Sequence, residues 1–171
     1  MSGDPARLYD EDFVRWTEQQ AAALRDAAGL TTNLPLDWEN LAEEIDSLGR
    51  STRRELRSRL MVIVEHLLKL EHSPARDPRR GWIETIGRER LIIEDLLQES
   101  PSLKVDLGAE IEHAKSRALR LVTRSLSDFG AASEMPLPTY AEDQVLGDWF
   151  PGVPLTPTLS PRTGRGSSGS S

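Results

Sequence analysis

The sequence predicts an all-α protein: an antiparallel bundle of about five helices, with one more short helix near the C-terminal end. Three observations lead there. Apolar residues recur three and four apart in nearly every segment. No segment alternates apolar and polar residues as a half-buried strand does, and residues suited to helix ends punctuate the stripes.

The first stripe is Phe13, Trp16, Gln20 and Leu24, with Gly29 where a C-cap is expected. The second is Trp38, Leu41, Ile45 and Leu48, for which Asp37 is a suitable N-cap and Gly49 the expected end. Thr52 and Glu55 have the spacing of a capping box and open the third helix. That helix carries the longest stripe (Leu56, Leu60, Ile63, Leu67 and Leu70), widened by Met61, Val64 and Leu68, and is expected to be the most buried element. Ser73-Pro74 stops it, because the proline ring disfavours helical geometry in the residue before it.

After the loop "SPARDPRRG", Trp82, Ile86, Ile93 and Leu97 mark a fourth helix. Ser100-Pro101 combines an N-cap with proline at the first helical position. Leu103, Leu107, Ile111, Ala114, Ala118 and Leu121 then carry a fifth helix to about Ser127. Thr139 and Glu142 suggest a second capping box, for a short helix from Tyr140 to Leu146. The organisation that follows is a flexible N-terminus over 1–7, one bundle domain over 8–150, and a disordered tail over 151–171, where Pro, Gly and Ser replace apolar residues.

Composition removes several function classes. There is no cysteine, so disulfides and thiolate metal sites are excluded. The longest apolar run, Leu60 to Val64, is far short of the ~20 residues of a membrane span. No basic-then-apolar leader opens the sequence, so the expected location is the cytoplasm. The net charge of −7 is unevenly spread: residues 1–49 carry −8, 50–90 carry +5 and 91–171 carry −4. An acidic segment followed by a basic one can neutralise itself within the fold.

No catalytic residue and no cofactor is assigned. The sequence has neither a Gly-x-Ser-x-Gly elbow nor a glycine-rich phosphate loop; "SLGRS" holds a single glycine. The metal-ligand candidates are His66, Glu110 and His113. Glu110 and His113 form a Glu-x-x-His unit, but di-iron helical bundles use two such units and only one is present, so no metal is expected.

Glu44 flanks the second stripe, and a carboxylate beside a core needs a partner. Arg53, Arg54 or Arg57, just past the turn expected at Gly49, would form a structural charged elbow with it. Arg76, Arg79, Arg80, Trp82, Arg88 and Arg90 combine guanidiniums with an aromatic ring, which suits an anion or partner surface. Strong helical stripes without a chemistry-bearing constellation favour a non-enzymatic interaction or regulatory module. Its partner would be another protein or a second copy of the chain, met through Phe13, Trp16, Trp38 and Leu41. The alternative is a nucleic-acid-associated regulator using Arg50 to Arg59 and Arg76 to Arg90. A metal- or carboxylate-dependent enzyme is the reading the fewest residues support.

Five stretches together resemble a known bacterial family. They are "YDEDFVRWTEQQAAALR" (Tyr9 to Arg25), "LDWENLAEEIDSLGRSTRRELRSRL" (Leu36 to Leu60), "HLLKLE" (His66 to Glu71), "GWIETIGRERLIIEDLLQESPSLK" (Gly81 to Lys104) and "YAEDQVLGDWFP" (Tyr140 to Pro151). In order and spacing they resemble domain of unknown function 29 over about residues 8–151. The Trp38 to Ile45 and Ser47 to Arg50 segments carry its typical patterns. The resemblance implies a small helical protein. It brings no established activity and no catalytic residue, and the Glu110 to His113 unit is not part of the family pattern.

Overall fold

The structure is a computed structural model that describes residues 5–30, 34–127 and 135–152. In chain order the elements are α1 (Pro5–Glu11), α2 (Phe13–Ala28), α3 (Trp38–His72), α4 (Arg79–Glu99), a 3-10 segment (Pro101–Asp106), α5 (Leu107–Ser127) and α6 (Glu142–Leu146). No strand occurs among the described residues. Of the tail expected to be disordered over 151–171, residues 153–171 lie outside them while Pro151 is buried, and α1 begins within the segment expected to be flexible.

The main departure from the sequence reading is α3. Two helices were expected there, broken at Gly49; the structure has one helix of 35 residues. Gly49 is buried in its interior, where it makes room instead of a turn: a Cβ on it would overlap Thr17 Oγ1 and lie 3.4 Å from Thr17 Cβ. A helical glycine costs about 1 kcal/mol relative to alanine and does not by itself break the hydrogen-bond ladder. The capping box expected at Thr52 is likewise absent, because Thr52 Oγ1 donates to Leu48 O at 3.2 Å within the helix. Asp37 does cap α3, accepting from Asn40 N at 3.2 Å.

α3 is the spine of the bundle. α2 lies antiparallel along its first half, as Arg25 meets Asp46 while Glu18 meets Arg53. α4 lies antiparallel along its second half, with Arg79 donating to Leu70 O at 2.7 Å and Arg59 meeting Glu89 at 2.9 Å. The 3-10 segment reverses the chain, and α5 then runs beside α3, with Glu110 against Arg57. Leu56, Leu60, Ile63, Val64, Leu67 and Leu68 are at most 1% exposed; they face Ile86 and Ile93 of α4 and Ile111, Ala118 and Val122 of α5. Each such leucine or isoleucine contributes roughly 1.5–3 kcal/mol by leaving water. Among the described residues of α2, only Val14 joins this core.

Asp12 ties the two halves together. Its Oδ1 accepts from Arg15 N at 3.0 Å as the N-cap of α2 and from Ser102 Oγ at 2.8 Å, and its Oδ2 accepts from Ser102 N at 2.8 Å. Ser100, expected as an N-cap, instead accepts from Val14 N through Oγ at 3.2 Å. Asp12→Ala therefore removes a cap and a link between helices. We expect a loss of about 2 kcal/mol, or roughly 4–8 °C in Tm, read by thermal unfolding. An unchanged Tm would show that the cap and the link contribute nothing.

The C-terminal segment is held by Arg90, which was expected on a surface and is instead only 9% exposed. Its Nε donates to Val145 O at 2.9 Å. Its terminal nitrogen Nη2 donates to Gln144 O at 2.9 Å and Trp149 O at 2.8 Å, and the guanidinium lies 4.8 Å from the centre of the Phe150 ring. Burial lowers its pKa, and the charge of Asp148 opposes that. Tyr140, expected inside the last helix, precedes it and is buried; its hydroxyl donates to Glu71 Oε2. Burial, reinforced by that hydrogen bond, pushes the phenol well above its ordinary pKa. The capping box expected at Thr139 and Glu142 is replaced by Gln144, whose Oε1 accepts from Ala141 N at 2.9 Å.

Candidate interaction surfaces

On an unbroken α3, Glu44 and Arg53 are nine residues apart, a rise of ~14 Å, which rules out the expected elbow pair. Glu44 is exposed and enters no salt bridge with the described residues. Neighbouring acids take the arginines instead. Arg50 meets Glu43 and also Asp46 at 2.7 Å, Arg53 meets Glu18, Arg57 meets Glu110 at 2.6 Å, and Arg59 meets Glu55 at 2.6 Å as well as Glu89. The hydrogen bond to Glu110 raises the Arg57 pKa, with burial opposing it; the bond to Glu55 does the same for Arg59. Exposed pairs of this kind are worth ~0–1 kcal/mol each, so they orient side chains more than they stabilise the fold.

The other expected basic set is dispersed. Arg79 caps the carbonyl of Leu70, Arg80 pairs with Glu84 at 2.9 Å, and Arg90 is buried under the C-terminal segment. Trp82 packs against the core, which leaves the Arg76 and Arg88 side chains exposed and without a partner among the described residues. Of the metal candidates, the half-buried His66 places Nδ1 2.8 Å from Val62 O, while Glu110 is engaged by Arg57 next to His113. Among the described residues, no three His, Cys, Asp or Glu side chains are placed to hold a metal.

Two surfaces stand out. The first is an apolar face on the α2/α3 hairpin. Phe13, Trp16, Gln20, Leu24 and Ala27 recur along one side of α2, next to the Val14–Thr17–Ala21 side that touches α3. Trp38, Leu41, Ile45 and Leu48 do the same on α3, beside buried Ala42 and Gly49. Because the helices are antiparallel, the two stripes turn to the same side of the hairpin. The contact beneath is made by small side chains, so these larger ones stay partly in water: Leu41 is 41% and Leu48 46% exposed. Tyr9 extends the face with edge-on contacts to Phe13 and Trp16, at ring separations of 5.7 and 4.8 Å. None of these residues is charged.

The second surface is a groove of about 290 Å³ between α3 and α5, lined by Arg54, Arg57, Ser58, Met61, Glu110, His113, Ala114 and Arg117. Arg120 and Arg124 lie beyond Arg117 at helical spacing on α5. The sequence reading missed these α5 arginines, since Glu110 and Glu112 balance them locally. The signal available was the spacing of 117, 120 and 124 on one helix side.

No helix of the described residues is long and apolar enough to cross a membrane. Comparison with curated proteins gives no match. Among solved structures, the chain is similar to an α-helical protein of unknown function from Rhodospirillum rubrum. The two are 25% identical over 82% of this chain and 89% of the other, with a TM-score of 0.69. That likeness supports the all-α architecture independently of the helical periodicity. The family described as Domain of unknown function DUF29 matches residues 8–150, which spans every described element from the end of α1 to Phe150. The resemblance carried by the tryptophan and arginine motifs is therefore a membership: this chain belongs to the DUF29 family.

Proposed function

We propose that the chain is a non-enzymatic interaction module that docks through the apolar face of the α2/α3 hairpin, and that the occupant is a second copy of itself. The observation that supports this is the uncharged stripe running across both helices, with Leu41 and Leu48 left in water. A face built to receive a differently charged partner would carry complementary charges within it, and this one has none. Two such hairpins related by a two-fold axis close into a four-helix bundle, each covering the other's stripe.

The size is adequate. Sixteen residues of α2 span ~24 Å, and two helices side by side are ~20 Å wide. Two copies closing on a face of roughly 500 Å² bury about 1,000 Å² in all, near the threshold for a specific interface.

Light scattering at ~100 μM protein is expected to give twice the monomer mass. Leu48→Glu and Leu41→Glu should each restore the monomer with helix content intact, because a carboxylate in that face costs several kcal/mol (~2 or more) only when the face is covered. A wild-type chain that is strictly monomeric at that concentration refutes self-association.

A further inference from the structure

We propose that the groove between α3 and α5 binds a small phosphate dianion, either inorganic phosphate or the head of a phosphate monoester. Most of the donors that line it have no partner among the described residues. Arg117, Ser58 Oγ and the His113 ring enter no hydrogen bond or ion pair with the described residues. Arg54 makes one long contact, Nε to Arg50 O at 3.4 Å, which leaves its terminal nitrogens available.

Outside the groove, Arg50, Arg53 and Arg59 of α3 all hold carboxylates. Glu110 engages Arg57 from within the groove and holds it in place. Three guanidiniums line the groove against the one carboxylate of Glu110, with Asp106 acting on Arg57 from just outside it, so the groove keeps an excess of positive charge that suits a phosphate. Guanidiniums on two different helices can grip a tetrahedral phosphate from opposite sides through paired N–H donors. Met61 and Ala114 supply an apolar wall for a small organic substituent. The volume, about 290 Å³, lies at the bottom of the ~300–1,000 Å³ range of ligand pockets and selects a small molecule.

The groove is separate from the hairpin face. At 100° per residue, Arg57 points about 160° away from Leu41 around α3, so self-association leaves it open.

The test is calorimetric titration of the full chain at low salt with inorganic phosphate and, separately, with glycerol 2-phosphate. Saturable binding at one ligand per chain is expected for at least one of them, and the tighter of the two identifies the source of the phosphate. Arg54→Ala and Arg117→Ala should each weaken it ~10-fold or more, as loss of a charge-assisted hydrogen bond does. Both side chains are exposed, so circular dichroism should be unchanged. Arg88→Ala, an exposed arginine outside the groove, should bind as the wild type does. The proposal is overturned if neither compound saturates by ~10 mM, or if Arg88→Ala weakens binding as much as Arg117→Ala. Tight binding of a short oligonucleotide that survives Arg117→Ala would also overturn it.

Discussion

Arg90→Met is expected to lower the stability of the chain by about 3–5 kcal/mol and to release the segment around α6 from the bundle. The guanidinium is the single anchor for three backbone carbonyls, those of Gln144, Val145 and Trp149. Two of these belong to the last turn of α6, where no intrahelical N–H is available to them. Removing the donor strands partly buried acceptors and also removes the contact with the Phe150 ring. Burial lowers the Arg90 pKa, yet a guanidinium remains protonated at any working pH, so the three bonds persist.

Arg90→Lys keeps the charge and should still lose most of the stabilisation, because one ammonium cannot copy the planar fork that reaches three carbonyls. Urea unfolding measures the loss. Limited proteolysis between residues 135 and 152 measures the release. Wild-type resistance to the protease in both variants would show that the segment is held by its apolar contacts through Tyr140 and Val145 alone.

Gly49→Ala is expected to destabilise by about 1–3 kcal/mol, although alanine is the better helix former by about 1 kcal/mol. The two effects oppose each other, and the contact wins because the added methyl overlaps Thr17 Oγ1 where α2 crosses α3. Thr17 cannot turn away freely: it is fully buried and its hydroxyl donates to Val14 O at 2.7 Å.

Thr17→Ala alone should cost about 1 kcal/mol for the lost bond and the space left behind. The double substitution is the discriminating measurement. With the hydroxyl gone the methyl has room, so the pair should be at least ~1 kcal/mol more stable than the sum of the singles. Were Gly49 a helix end, alanine there would cost stability whatever stands at Thr17, and the coupling would vanish.

Residues 34–72 show where local reading stops. Leu56 to Leu70 could be placed in the core from spacing alone, because a stripe that wide has to be covered by something. Asp37 was legible as a cap and Ser73-Pro74 as a stop, since each acts on backbone groups within a few residues. Gly49 was not legible. A glycine that ends a helix and one that admits a neighbouring helix look alike in one dimension, and only Thr17, 32 residues earlier, decides between them. Glu44 was misread as a consequence: once the helix continues, its rise carries Arg53 out of reach.

The same limit applies to the arginines. Arg88 and Arg90 are two residues apart in "GRER", yet one is exposed and the other nearly buried, and the difference is the return of residues 144 to 150 to α4. Ser58, Arg54 and Arg117 form no motif in sequence; they meet because α5 lies beside α3.

The sequence by itself determined the helical class, the central stripe and two of the helix ends, the cap at Asp37 and the stop at Ser73-Pro74, all of which depend on interactions over three or four residues. Tertiary structure alone decided that two predicted helices are one, which arginines hold carboxylates or carbonyls and which remain available, and that an apolar stripe on α2 shares a side with one on α3. Those outcomes depend on distances between residues tens of positions apart, which periodicity along a chain does not encode.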